Sequence, residues 1–174
     1  MKKLYFIRHG LSQGNIDGVW SGTIDTPLSP LGKKQAKLAG QKAKKLKIDY
    51  IISSPLSRAI DTAKIVAKQI GYPDDNIHIN ELFIERHFGE LEGKAWSPDL
   101  NLDGITDIET VDTLLERARL ALEYVKTLKE ENILIVSHGS FGRALRSNIT
   151  GEKFHNHKPP KEALLPNAEV IRWL

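Results

Sequence analysis

Apolar positions along the chain fall into short unbroken runs and longer interrupted ones, and the two kinds alternate. Leu4 to Ile7, inside KLYFIR (3–8), is an unbroken apolar run of strand length. DYIISS (49–54), NIHIN (76–80), NILIVS (132–137) and AEVIRW (168–173) read in the same way, being short and rich in Ile and Val. Between these runs the apolar residues recur every three or four positions. Residues 31–46 carry Ala36, Ala39, Ala43 and Leu46 on one face. Residues 56–70 carry Ala59, Ala63, Val66, Ala67 and Ile70, and stop at Gly71 and Pro73. Residues 110–129 carry Val111, Leu114, Leu115, Ala118, Leu122 and Val125, and 140–149 make a fourth helix. An exposed loop at 151–167 precedes the last strand. Strands that are apolar on both faces need cover on both sides. The alternation therefore predicts an α/β fold, a three-layer α/β/α sandwich on a mostly parallel sheet, as one domain over residues 1–174.

Composition narrows the function without deciding it. The chain has 174 residues, 40% hydrophobic and 27% charged, as in an ordinary water-soluble globule. It has no cysteine, which removes disulfides, thiolate nucleophiles and Cys-zinc sites. The opening MKKLYFIRHG resembles a signal peptide only superficially, because Arg8 ends the apolar run too early. No stretch approaches membrane-spanning length, so a cytoplasmic protein without membrane contact is expected. Net charge is +3, and much of the excess lies in GKKQAKLAGQKAKKLK (32–47). Lysines between helically spaced alanines read as a solvated helix face. The run lacks the interleaved aromatics of a nucleic-acid surface, so no nucleic-acid partner is expected. Oligomeric state is not legible in the pattern.

Chemistry enters at the strand ends. In open α/β sheets ligands bind beyond the carboxyl ends of the strands. The first strand ends in Arg8-His9-Gly10, and NILIVS ends in His138-Gly139. The second strand runs into SSPLSRA, with Arg58 in the first turn of the next helix, and Glu85 follows NIHIN. Two imidazoles, two guanidiniums and one carboxylate on one rim suit phosphoryl transfer. A neutral imidazole is a good nucleophile at neutral pH, and attack on a phosphate dianion needs its charge neutralised. Arg8 and Arg58 supply bidentate donors, and a protonated His138 adds another. Glu85 is placed to protonate the leaving alkoxide and then activate water. Gly10 and Gly139 permit close backbone approach, and the helix start after Gly139 favours an anion. If His9 is the nucleophile, activity should decline on the acid side as it protonates.

Longer stretches carry a resemblance. FIRHGLSQGN, LSPLGKKQAKLAG, IISSPLSRAIDTA, LFIERHFGELEG, ILIVSHGSFGRAL and LPNAEVIRW, in that order over residues 4–173, resemble the histidine phosphatase superfamily and its phosphoglycerate-mutase-like fold. The resemblance implies that His9 is phosphorylated, that Glu85 donates the proton, and that Arg8, Arg58 and His138 complete the phosphate pocket. It also implies a polar contact from Asn15 and a pocket lining from Ser21 and Gly22. Gly139 belongs with the phosphate contacts. The family needs no metal or other cofactor. HNH at 155–157 lacks a nearby carboxylate and reads as a surface loop. Trp20, Trp96 and Phe141 are candidate pocket walls, although packing is the commoner role of such residues.

Within this resemblance the sequence favours a metal-independent phosphomonoesterase acting through phosphohistidine on a small phosphorylated metabolite, on the phosphatase branch. The alternative is a 2,3-bisphosphoglycerate-dependent phosphoglycerate mutase, for which Arg86 and His87 in ERHFG would grip a carboxylate. Against it, residues 94–109 (KAWSPDLNLDGITDIE) are short and acidic, with Lys94 their sole cation. A negative lid would clamp a bisphosphorylated acid poorly. A second alternative is a phosphohistidine-protein phosphatase or a non-catalytic binding relative.

Overall fold

The computed structural model describes residues 2–156 and 159–174. Five strands form one sheet: β1 (Lys3–Arg8), β2 (Tyr50–Ser53), β3 (His78–Ile79), β4 (Asn132–Ser137) and β5 (Val170–Arg172). Their spatial order is β3-β2-β4-β1-β5. All neighbours are parallel except β5, which runs antiparallel to β1. Five helices accompany them: α1 (Gln13–Asp17), α2 (Pro30–Ala43), α3 (Ser57–Ile70), α4 (Val111–Thr127) and α5 (Gly139–Thr150).

The strands alternate faces at a period of two, and both faces are apolar. Leu4, Phe6, Tyr50, Ile52, Ile133 and Ile135 point to one side, against Leu114, Ala118, Phe141 and Leu145 of α4 and α5. Tyr5, Ile7, Ile51, Leu134 and Val136 point to the other, against the alanine stripes of α2 and α3. This is the expected α/β/α sandwich. Small side chains let α2 and α3 sit close together, and Gly40 leaves room for Gln69 of α3 where a Cβ would collide. A smaller cluster of Phe88, Leu91, Leu102 and Ile108, with Trp20 packed on it, roofs the carboxyl edge of the sheet. Among the described residues no helix is long and apolar enough to cross a membrane.

Several boundaries differ from the sequence reading. The strand expected over 76–80 is reduced to His78–Ile79. Both residues are exposed at the sheet edge, and Asn80 turns the chain by capping the next 3-10 turn through the Leu82 N–H. The last strand begins only at Val170, after Ala168 has taken a left-handed φ of 51°. Helix α2 tightens into a 3-10 turn over Lys44–Leu46. Helix α1 carries no apolar stripe. It rests on a reciprocal cap, in which the Ser12 hydroxyl accepts from the Asn15 N–H and the Asn15 side chain accepts from the Ser12 N–H.

Candidate active site

Register places the two histidines side by side. β1 and β4 pair with Arg8 opposite Ser137, so the next residue on each strand, His9 and His138, leaves the sheet at the same level. Their ring centroids are 5.2 Å apart. The His9 N–H donates to the Ser137 carbonyl at 2.9 Å, and the Asn167 side-chain amide donates to the His9 carbonyl at 2.9 Å. Gly10 is held by the Thr62 hydroxyl, which accepts its N–H at 3.0 Å. A Cβ on Gly10 would run into the Gly32 carbonyl, and a Cβ on Gly32 into that of Leu11. The two glycines thus let the start of α2 close against the strand end that carries His9.

The imidazole tautomers follow from their partners. His9 Nδ1 lies 2.7 Å from the Gly10 carbonyl, an acceptor only, so Nδ1 carries the proton and Nε2 keeps its lone pair. Burial, followed by the charges of Arg8 and Arg58, pushes the His9 pKa well below its ordinary value. His9 is therefore a neutral base at neutral pH. His138 Nε2 lies 2.7 Å from the Ser54 hydroxyl, whose oxygen accepts the Leu56 N–H. His138 Nδ1 is buried without a partner. Burial, then Arg58, His9 and Arg8, push the His138 pKa down as well. With no anion in the cleft, these charges favour the neutral imidazole over the imidazolium expected here.

Arg8 and Arg58 flank the pair. Arg8 Nη1 donates to the Leu165 carbonyl at 2.9 Å. Arg58 donates from Nη1 to Ile24 and from Nη2 to Gly22, both at 2.7 Å, and so also fixes the loop that holds Ser21. The Nε atoms of both arginines are buried without a partner. Burial lowers both pKa values, with Glu85 opposing.

Glu85 sits at the amino end of α5. Its Oε1 accepts the N–H groups of Phe141 and Arg86 at 2.9 and 2.8 Å, and its Oε2 accepts that of Ser140 at 3.1 Å. The helix start expected to face a bound anion is thus taken by this carboxylate. Arg117 of α4 sets the segment that carries it, donating to the carbonyls of Leu82 and Ile84 and pairing with Glu109 through two bonds of 2.9 Å.

These groups open into a cleft of about 810 Å³ walled by residues from every loop at the carboxyl edge. His9, Arg8, Arg58 and Glu85 line it, as do Asn15, Ser21, Gly22 and Gly139. His138 stands behind His9, fully buried. Asn15 spends its carbonyl oxygen on the α1 cap, so its amide NH2 is what remains for a ligand. A Cβ at Gly139 would make ordinary 3.5 Å contact with Arg8, so packing within the protein does not demand glycine there. Trp20 and Trp96 wall the cleft, whereas Phe141 is buried in the core and does not. Arg86 lines it and His87 does not. Sequence reasoning did not single out Arg143, Lys161 and Ser54. Their strand-end or helix context gave no periodic signal; only the fold shows which way they face.

The acids of 94–109 do not face the cleft. Asp107 accepts the Glu90 N–H, Asp103 accepts from Asn156, and Glu109 pairs with Arg117. The wall from this loop is Trp96, Ser97, Pro98, Leu100 and Leu102. The negative lid inferred from composition is therefore corrected to a largely apolar one. Among the described residues no three His, Asp or Glu side chains gather as metal ligands. His157 lies outside the described residues, and His155 gives its backbone carbonyl to Arg143.

The family model of the histidine phosphatase superfamily (branch 1) matches residues 4–172. The chain belongs to that superfamily. A Hydrogenobacter thermophilus relative, provisionally named phosphoserine phosphatase 2, is 35% identical over 170 residues, covering 90% of this chain and 82% of that protein. The phosphoglycerate mutase of Schizosaccharomyces pombe is 30% identical over 167 residues, covering 85% and 79%. Among solved structures, a mycobacterial glucosyl-3-phosphoglycerate phosphatase superposes with a TM-score of 0.82 at 25% identity, covering 99% of this chain and 92% of the other. A phosphoserine phosphatase from Entamoeba histolytica, in complex with phosphoserine, gives 0.79 at 27% identity, covering 99% and 90%. This histidine phosphatase-superfamily chain is accordingly an enzyme of the phosphatase-or-mutase class, with the phosphoglycerate-mutase-like fold.

Proposed function

We propose that the enzyme hydrolyses small phosphomonoesters through a phosphohistidine at His9, without a metal. The observation that carries this reading is the set of three buried, unpartnered nitrogens around His9: the donors Arg8 Nε and Arg58 Nε, and His138 Nδ1. Such groups are costly unless a ligand accepts from them, and a phosphoryl group offers the oxygens to do so.

In the first step the His9 Nε2 lone pair attacks phosphorus and the P–O ester bond breaks. The leaving alkoxide takes a proton from Glu85, for which Oε2 is the oxygen with fewer hydrogen bonds. In the second step water gives a proton to Glu85 and attacks phosphorus. The P–N bond breaks and inorganic phosphate leaves. The arginines and His138 hold the equatorial oxygens, whose charge both transition states share. A cleft of this volume suits a metabolite.

A second reading, phosphoglycerate mutase, draws support from the cations that line the cleft beyond Arg8 and Arg58, and from the mutase relative. Against it stands the shortness of 94–109. Phosphorus NMR in EDTA separates the two. The sample holds 3-phosphoglycerate with a trace of 2,3-bisphosphoglycerate and a panel of phosphomonoesters. Inorganic phosphate should accumulate, and should not in His9→Ala. Formation of 2-phosphoglycerate without inorganic phosphate would replace the phosphatase reading with the mutase one.

A further inference from the structure

Arg58 is aimed by a loop rather than by its own helix. The side chain is buried, its Nη1 and Nη2 are bound to the Ile24 and Gly22 carbonyls at 2.7 Å each, and its Nε has no partner. Two acceptors at fixed positions set the plane of a guanidinium, because its N–H groups form a rigid fork. The direction in which Arg58 Nε–H points therefore follows from where residues 22–24 stand.

Glu92 holds those residues from outside the cleft. Its Oε1 accepts the Thr23 N–H at 2.9 Å and the Phe88 N–H at 3.0 Å, and both of its oxygens accept from the Thr23 hydroxyl at 3.1 Å. The carboxylate thus takes the N–H side of the residue whose two neighbours give their carbonyls to Arg58. Gly22 makes the approach possible. It has a left-handed φ of 46°, and a Cβ there would collide with Glu92 Oε1. Backbone bonds run alongside, from Gly93 N–H to the Trp20 carbonyl at 2.8 Å and from Trp20 N–H to the Lys94 carbonyl at 2.9 Å. Neither Glu92 nor Thr23 lines the cleft. Among the described residues no cation lies within ion-pair distance of Glu92, so holding the loop is the work its carboxylate does.

We propose that Glu92 is a positioning residue, which acts on the phosphoryl group through Arg58 by fixing the Gly22 and Ile24 carbonyls that orient the guanidinium. The proposal rests on the phosphatase reading only in placing the phosphoryl group at Arg58 Nε. A misplacement of about 1 Å can cost a catalytic contact roughly a hundredfold. Release of the loop, which lets the Arg58 plane turn, should weaken an anion at this site by about tenfold or more.

Calorimetric titration with inorganic phosphate tests it in a double-mutant cycle. Glu92→Ala should weaken phosphate at least tenfold. In an Arg58→Met background the same change should cost less than about twofold, because the group that it positions is gone. Glu92→Gln keeps a carbonyl oxygen for the Thr23 and Phe88 N–H groups without the charge, and should stay within about threefold of the unmutated protein. If Glu92→Ala does not fold, Thr23→Val deletes the hydroxyl bonds alone and should show the same pattern with a loss of about threefold. The NMR signal of Arg58 Nε–H gives a second readout that needs no Arg58 variant. It should be single and should move with phosphate in the unmutated protein, and should broaden or split in Glu92→Ala or Thr23→Val. Losses that add in the cycle, an Arg58 signal that both substitutions leave unchanged, or a Glu92→Gln protein as weak as Glu92→Ala, overturns the positioning role. If phosphate binding follows the expected pattern and no phosphomonoester is hydrolysed, the phosphatase reading falls and the positioning role stands. Hydrolysis with additive losses is the reverse. If the unmutated protein binds no phosphate, both fall.

Discussion

Two buried neutral histidines beside two arginines make this fold sensitive to acid, and the size of the effect can be worked out. His9 is 4% exposed and His138 is 0%, so solvent screens neither. Both have pKa values held well below the ordinary histidine value, chiefly by burial. In the unfolded chain each returns to about 6.5. Below that pH the unfolded state binds protons that the folded state refuses, so stability is fully present above pH 6.5 and is lost as pH falls through it. From pH 6.5 to 5.5 each histidine that stays neutral when folded removes about 1 kcal/mol, and the pair roughly 2 kcal/mol. With a urea dependence of about 2 kcal/mol per molar, the unfolding midpoint should drop by about 1 M over that unit of pH. Urea titrations of the unmutated protein at pH 7.5, 6.5 and 5.5 read this directly. His9→Asn and His138→Asn should each lose about half of the pH dependence. If the single variants keep the full slope, the histidines are not the refused protonation sites and the reasoning fails. Saturating inorganic phosphate should flatten the slope, since an anion against Arg8 and Arg58 removes part of what opposes the imidazolium.

Other consequences are more local. Arg117→Met leaves Glu109 without its bidentate partner at 11% side-chain exposure, and frees the carbonyls that fix 82–85. It should lower stability by about 3–5 kcal/mol, read by denaturation, and lower kcat for what folds. Gly32→Ala forces a methyl against the backbone of Leu11 and should destabilise by about 1–3 kcal/mol or more, because neither backbone is free to withdraw. The acid limb of kcat/KM should lie below the pH of ordinary histidine titration, since His9 resists protonation. A limb centred at 6.5 or above would contradict the proposal of a neutral, buried His9 as nucleophile.

The placement of the candidate rim was legible in the sequence because its geometry is set by local grammar. An apolar run of strand length places whatever follows it at the sheet edge, and β1 and β4 do so for His9 and His138. Arg58 was legible for the same reason, as a first-turn residue after a strand. What the sequence did not carry is set by side-chain direction across the fold. Arg143 reads as one polar position in GSFGRALRSNIT, and only packing decides that it faces the cleft while Arg146 pairs with Glu152. Arg117 likewise sits among the charges of α4, yet it anchors the segment bearing Glu85. Helix α1 was invisible because a cap, and no apolar stripe, makes it.

Composition misled most at residues 94–109. Four acids in a short loop read as a negative lid, and that reading weighed against a substrate of high negative charge. In the fold, Asp103, Asp107 and Glu109 are bound to Asn156, the Glu90 backbone and Arg117, and the apolar residues between them face the cleft. Net charge of a segment says little about its field when its carboxylates are turned away and neutralised by partners, because what a ligand meets is the set of groups left unpaired. Here those include the Nε groups of Arg8 and Arg58, at a strand end and in the first turn of a helix. The electrostatic case against phosphoglycerates therefore falls, and the case for hydrolysis over transfer stands on the short lid alone. A short lid would let water reach a phosphohistidine at His9, as the proposed hydrolysis requires.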